Sequence, residues 1–240
     1  MFPAVALLFV AAAKPVQVQQ FGMSQCPLTS SWFSAFYDGC LRGKPGMLAL
    51  VNFSQSFVGG TNGGPVNAST WNSSFHGYDE VVGDRYQLCA RELDPEPPHA
   101  KWLAFERCQN GVAGAAGIGA IPKNSEKCAK RADIEYPALR ACAEGERGLA
   151  LYRDSVFFTQ EHCARAPFVC YDFEKSVVDP SGQGHGIPVV KIGDAMYYGM
   201  DAYRNLTGRI CSLAGAGTDC GCDEIVRWQL DVPDMQGFAS

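Results

Sequence analysis

The sequence predicts an α/β domain with a helical block set between its second strand and a closing hairpin. Three observations carry that reading. Val16-Gln17-Val18-Gln19-Gln20-Phe21 alternates like a short strand. It leads through the turn Gly22-Met23-Ser24-Gln25 into Trp32, Phe33, Ala35, Phe36 and Tyr37 at helical spacing. Met47 to Phe53 is a near-continuous apolar run and reads as a second strand, central and covered on both faces. Ile187 to Ile192, the turn Gly193-Asp194 and Ala195 to Tyr198 read as a hairpin.

Pro27 suits the first helical position, where its missing N–H has no partner to lose, so Cys26 falls at the helix N-terminus. Asp38-Gly39-Cys40 ends that helix. Gly59 to Ser69 is a loop, and Trp71 to Asp84 has no clear period. Arg85 to Leu93 reads as helix, stopped by Asp94-Pro95-Glu96-Pro97-Pro98. His99 to Asn110 follows as helix, with Trp102, Ala104 and Phe105 inward and Gly111 as its C-terminal stop. The Gly/Ala run from Gly111 to Ala120 lacks the preceding strand and the distant acid of a nucleotide loop, so it reads as a connector. Lys123 to Arg131 and Pro137 to Phe158 are helical, Thr159 to His185 is irregular, and Met200 to Leu213 is a last helix. The domain is thus expected over residues 14–213, its helical insertion over about 84–158, and a cysteine-containing extension over 214–240.

Composition bounds the function. The chain has 240 residues, 47% hydrophobic and 19% charged, as in globular proteins. A net charge of −5 without a basic run argues against nucleic acid as partner. Met1 to Ala13 is apolar, too short to span a bilayer, and ends in alanines. It reads as a secretory signal peptide whose removal leaves no membrane segment, with a buried first strand as the competing reading. Eleven cysteines fit an oxidising compartment, as do glycosylation sequons at Asn52, Asn67, Asn72 and Asn205. The expected location is the secretory pathway, in a lysosome-like compartment or outside the cell. Eleven is odd, so one sulfur is left over if the others pair, and Cys26 is the candidate.

A sulfur beside the free N–H groups of a helix start is favoured as thiolate, and strand, cysteine, helix is how thioredoxin-like folds present a redox sulfur. Such placement brings a cysteine from about 8.5 to roughly 3.5–7.5. With a value of ~6 at pH ~5, the thiolate fraction rises ~300-fold, while lower intrinsic nucleophilicity costs roughly 13-fold, leaving ~20-fold in favour of attack. Thr29 lies one turn on, where its hydroxyl can donate to the thiolate. A structural half-cystine with Cys40 is the competing reading. No cofactor is implied. Zinc is poorly matched, since Cys220-Gly221-Cys222 is too tight for a usual ligand pair.

These residues carry a resemblance. The chain resembles the gamma-interferon-inducible lysosomal thiol reductases, in which Cys-x-x-Cys follows the first strand. Here that site reads Cys26-Pro27-Leu28-Thr29. The family signature Cys-Gln-His-Gly-x-x-Glu-Cys-x-x-Asn, with a further Cys five residues on, is matched in register by His76, Gly77, Glu80 and Cys89. A Cys-Ala-x-Gly-x-x-Gly segment is matched by Cys142-Ala143-Glu144-Gly145-Glu146-Arg147-Gly148, and the hairpin and Cys211 fall in the family's order. The departures are Thr29 for the second redox cysteine, and Ser74 and Val81 for two signature cysteines, which fits loss of one disulfide.

The resemblance implies a thioredoxin-like fold and thiol–disulfide exchange on disulfide-containing proteins. Cys26 is the expected nucleophile. With Thr29 in place of a resolving cysteine, the expected mechanism is monothiol: a small thiol, a substrate thiol or Cys40 resolves the mixed disulfide. Pro188 opens a strand facing the sulfur, and Ile187 and Pro27 border an extended substrate. His76, Glu80 and His185 are candidates for tuning the thiol, against the plainer reading of a hydrogen-bonded turn. The rival function is a secreted binding domain that keeps the fold without turnover.

Overall fold

The computed structural model describes residues 15–60, 66–111, 120–164, 189–198 and 206–213. His185, Ile187, Pro188, Asn205, the leader 1–13, residues 112–119 of the glycine-rich run, and Cys170, Cys220 and Cys222 lie outside them.

Four strands form one sheet: β1 (Val16–Gly22), β2 (Val51–Phe57), β3 (Val189–Ile192) and β4 (Ala195–Tyr198), in the order β2-β1-β3-β4. β1 pairs parallel with β2, Val16 opposite Val51, and antiparallel with β3, Phe21 opposite Val189. β3 turns through Gly193 and Asp194 into antiparallel β4, as the hairpin reading expects. A parallel β1–β2 pair needs a crossover, and α1 (Pro27–Phe36) supplies it.

The second strand departs from expectation. Pro45–Leu50 is a short helix, α2, because Pro45 provides a ready first helical position, and β2 starts only at Val51. A continuous apolar run does not by itself separate strand from helix. Among the described strands β2 lies at the sheet edge, while β1 and β3 are each flanked on both sides.

The main core forms where β1 and β2 meet α1. Val16, Val18, Val51 and Phe53 point into it, with Trp32, Phe33 and Phe36 from the helix. The Phe53 ring lies 5.4 Å from Phe33, 5.4 Å from Phe36 and 5.5 Å from Trp102. Each such ring, fully buried, contributes about 1.5–3 kcal/mol. α1 runs on into a π-helical turn, Tyr37–Leu41, which buries Cys40 in this core.

Between β2 and β3 lie α3 (Tyr78–Glu92), α4 (Ala100–Gln109), α5 (Ser125–Arg131), α6 (Tyr136–Glu144) and α7 (Glu146–Ala164). α3 begins at Tyr78, about two turns before the expected Arg85. Its first turns bury Glu80, Gly83 and Asp84 rather than an apolar stripe, so no hydrophobic period marks them. The expected helix 137–158 is two helices, broken at Gly145. In α4 the inward residues are Trp102, Leu103, Phe105 and Glu106, with Ala104 half-buried. Burial pushes the Glu106 carboxyl well up, opposed by Gln55 and Arg91, and Arg91 stacks 5.1 Å above the Trp102 ring. α7 covers the β2 edge, its Ser155 hydroxyl accepting the Phe57 N–H at 2.9 Å. α8 (Leu206–Leu213) packs against β3.

Two disulfides tie the helical block: Cys89–Cys142 joins α3 to α6, and Cys108–Cys128 joins α4 to α5. Cys211 is also disulfide-bonded. Cys89 and Cys142 are the cysteines of the two segments that carried the family resemblance.

Loop closure over 53 residues for the first bond and 20 for the second corresponds to about 4 and about 3 kcal/mol. The paired variants Cys89→Ala/Cys142→Ala and Cys108→Ala/Cys128→Ala should therefore lose stability in that order in urea titrations. Glu106 has a folded-state value above its unfolded one, so its contribution is fully present below the unfolded value and is lost as pH rises through the folded one. Glu106→Gln should flatten the fall in melting temperature as pH rises above the ordinary glutamate range and leave stability below that range nearly unchanged.

Candidate functional site at the start of the first helix

Cys26 is the N-cap of α1, with extended backbone (φ −77°, ψ 121°), and Pro27 follows at the first turn. It is a free thiol, so the half-cystine alternative is excluded. No side-chain cap hydrogen bond is closed at Cys26, but the backbone N–H groups of Leu28 and Thr29 and the Thr29 hydroxyl act on the sulfur in the direction that favours the thiolate. Thr29 is itself held on several sides. Its Oγ1 accepts the Met23 N–H at 3.4 Å, and its carbonyl accepts the Gln20 amide at 3.1 Å. It lies directly over Gly22, where a Cβ would stand 2.5 Å from Thr29 Cγ2. The last position of β1 must therefore be glycine for Thr29 to sit there.

The surroundings of the sulfur oppose ionisation. Cys26 is only 6% exposed, within an apolar cluster that includes Phe21, Phe57, Val66, Val81, Tyr152 and Val189. That burial pushes the thiol above its ordinary value, and the negative charge of Glu80 adds to the effect; the donors of Leu28 and Thr29 offset it only in part. This corrects the expectation of a thiol ionised in acid. Helix-start donors are present as expected, but desolvation is the larger effect, and the ~20-fold acid advantage does not apply. Pro27 and Leu28 are partly exposed and form the rim over the sulfur. Cys40 belongs to the main core while Cys26 belongs to this second cluster, at opposite ends of α1, which argues against Cys40 as a resolving thiol.

Glu80, which sequence left unconnected to Cys26, is brought to the turn before it, and His76 is joined to that turn through Glu80. Glu80 is fully buried. Its Oε1 accepts the Gln25 N–H at 3.0 Å and His76 Nδ1–H at 2.8 Å; its Oε2 accepts the His76 N–H at 3.3 Å and the Ser74 hydroxyl. That hydrogen bond raises the His76 imidazole above its ordinary value. One turn on, Asp84 Oδ1 accepts the Ser24 N–H at 2.9 Å, and Ser24 Oγ donates to the Glu80 carbonyl at 3.1 Å. Burial and the neighbouring Glu80 push the Asp84 carboxyl well up. Gly83 permits this close approach, since a Cβ there would stand 2.6 Å from Ser24 Oγ. Sequence reasoning missed Asp84, Ser24 and Gly83; the signal for Asp84 was a second acid four residues after Glu80.

Val189, at the start of β3, shares the Cys26 cluster; Ile187, Pro188 and His185 lie outside the described residues. Asn67 and Asn72 are exposed in the loop before α3. Asn52 sits partly exposed in β2, its amide donating to Gln17 Oε1 at 3.0 Å. Among the described residues no group of three or more His, Cys, Asp or Glu is arranged to hold a metal ion, and no helix is long and apolar enough to cross a membrane.

Comparison of folds places this architecture. BdbD from Bacillus subtilis, in its oxidised crystal form, superposes with a TM-score of 0.54 at 15% identity, over 86% of this chain and 90% of that one. A thioredoxin-like oxidoreductase from Silicibacter pomeroyi DSS-3 matches at 0.43 and 16% identity, over 81% and 87%. The fold is thioredoxin-like, with a helical insertion between β2 and β3. No family model and no curated protein sequence matches the chain.

Thr29→Val keeps the shape and removes the hydroxyl. Alkylation of Cys26 at pH 8 should slow by about threefold to tenfold, with its midpoint moved further alkaline, whereas Thr29→Ser should stay near wild type.

Proposed function

We propose that the protein is a thiol–disulfide oxidoreductase that acts on disulfide-containing proteins through Cys26 by a monothiol route. The observation that carries this is a free cysteine at the N-cap position of α1 on the thioredoxin-like sheet, where the Leu28 and Thr29 N–H groups and the Thr29 hydroxyl favour its thiolate. The pattern is that of the gamma-interferon-inducible lysosomal thiol reductases with one redox cysteine replaced, and the Cys89–Cys142 bond links the two segments that resemble that family.

In the first step the Cys26 thiol gives up its proton, and the thiolate attacks one sulfur of a substrate disulfide. The substrate S–S bond breaks, a Cys26–substrate bond forms, and the departing sulfur leaves as thiolate and takes a proton. In the second step a small-molecule thiol, or a second substrate thiol, attacks the substrate sulfur of the mixed disulfide; the Cys26–substrate bond breaks, Cys26 leaves as thiolate, and the attacking sulfur is left bonded to the substrate sulfur, from which a second equivalent of a small-molecule thiol then releases it. The substrate is reduced by two electrons only when two equivalents of the external thiol are oxidised to a disulfide; a substrate thiol in the second step gives isomerisation with no net change. Thr29 supplies a hydrogen bond to the sulfur in each thiolate form. Since the resting thiol is buried and raised, the first step belongs to a substrate that displaces the rim at Pro27 and Leu28. The export route and an acidic or extracellular destination, with glycans at Asn67 and Asn72, remain part of this reading.

A second reading has one observation in its favour. The 6% exposure of Cys26 suits a binding domain that kept the fold without turnover. Reduction of insulin disulfides with excess small thiol separates the two. The first reading expects turnover that Cys26→Ser abolishes. It also expects Thr29→Cys to raise the rate, because the new thiol can resolve the mixed disulfide within the chain. Equal rates for wild type and Cys26→Ser would leave the binding domain.

A further inference from the structure

We infer that Ser74, His76, Glu80 and Asp84 form an electrostatic seat for Cys26, in which His76 sets how much of the Glu80 negative charge reaches the sulfur. The inference deepens the thiol-exchange reading and rests on Cys26 being its reactive group. These four are positioning residues, acting through the turn that precedes the cysteine. Two carboxyl groups one turn apart on α3 take consecutive backbone N–H groups, those of Ser24 and Gln25. That arrangement fixes the path of the chain into Cys26 and brings Glu80 close enough for its charge to act on the sulfur. Of the four donors that reach Glu80, one carries a titratable proton: Nδ1–H of His76, at 2.8 Å on a partly exposed ring.

Among the described residues little else can balance Glu80. β1, α1 and β2 contain no Asp, Glu, His, Lys or Arg. On α3, Asp79 is exposed, and Arg85 is turned to the Gly145 carbonyl. From α7, the Tyr152 hydroxyl donates to the Ser73 carbonyl, and Arg153 pairs with Asp154 at the surface. Asp84 carries no countercharge, and its Oδ2 has no hydrogen-bond partner. Among the described residues the imidazolium of His76 is thus the cation of the seat.

The sign follows. Below the raised titration of His76 the imidazolium cancels Glu80, and the thiol ionises against burial alone. Above it the ring is neutral, the Glu80 charge stands uncompensated, and thiolate formation is opposed more strongly. The pH profile of Cys26 reactivity should therefore rise less steeply while His76 loses its proton than for an isolated thiol.

The test is the rate of Cys26 alkylation from pH 5 to 10 in the full chain, for wild type, Glu80→Gln, His76→Asn and the double variant. Glu80→Gln keeps an acceptor for the Gln25 N–H without the charge and should speed alkylation at pH 8 about threefold to tenfold. His76→Asn keeps an N–H donor without the proton. It should slow alkylation about twofold to fivefold below the His76 titration, match wild type above it, and have no effect in the Glu80→Gln background. Because His76 is partly exposed, its variant still decides the matter if Glu80→Gln does not fold. A Cys26 that reacts with one profile in all four forms overturns the seat while leaving thiol exchange standing. A Cys26 that resists alkylation at every pH overturns both.

Discussion

The site depends on a contest over one sulfur. A helix start offers Cys26 two N–H donors, and the next turn adds a hydroxyl. An apolar cover from both strands and the inserted helices removes the water that would otherwise solvate a charge there. Removal of water wins, so the resting state is the neutral thiol. Thioredoxin-like architecture provides the donors by topology alone, because the crossover helix must begin beside the end of β1. The cover comes from elements particular to this chain, including Val66 in the loop after β2 and Tyr152 and Val156 on α7.

The helical insertion is therefore part of the site. α3 delivers Glu80 and Asp84 to the turn before the cysteine, α7 covers the sulfur and the edge of β2, and α4 adds Trp102 to the aromatic stack around Phe53. Small residues make these approaches possible. Gly22 leaves room for Thr29, and Gly83 lets α3 close on Ser24. Polar groups buried along the way are tolerated where the backbone needs them: Gln20 holds the Thr29 carbonyl, and Asp84 holds Ser24.

Much of this was legible from residues alone, for reasons that also explain the failures. The Val/Gln alternation gave β1, Pro27 gave the helix start, and Gly193-Asp194 gave the hairpin; each is a local rule acting through backbone sterics. Met47 to Leu50 misled because an apolar run carries no period, and only the position of Pro45 favours helix. The start of α3 was hidden because its buried face is acidic, serving a turn more than fifty residues away in the chain. The thiol was misjudged because donors at a helix start follow from sequence, whereas the burial of a sulfur follows from which loops and helices close over it.

The bond between Cys89 and Cys142 lies on the same helix that carries Asp84, little more than one turn further along. An external reductant strong enough to open that bond would loosen the rod on which the turn before Cys26 is hung. On the proposed thiol-exchange reading, a cycle through Cys26 would run only in a bounded window of thiol strength, reducing enough to release a mixed disulfide and too mild to unpick the scaffold.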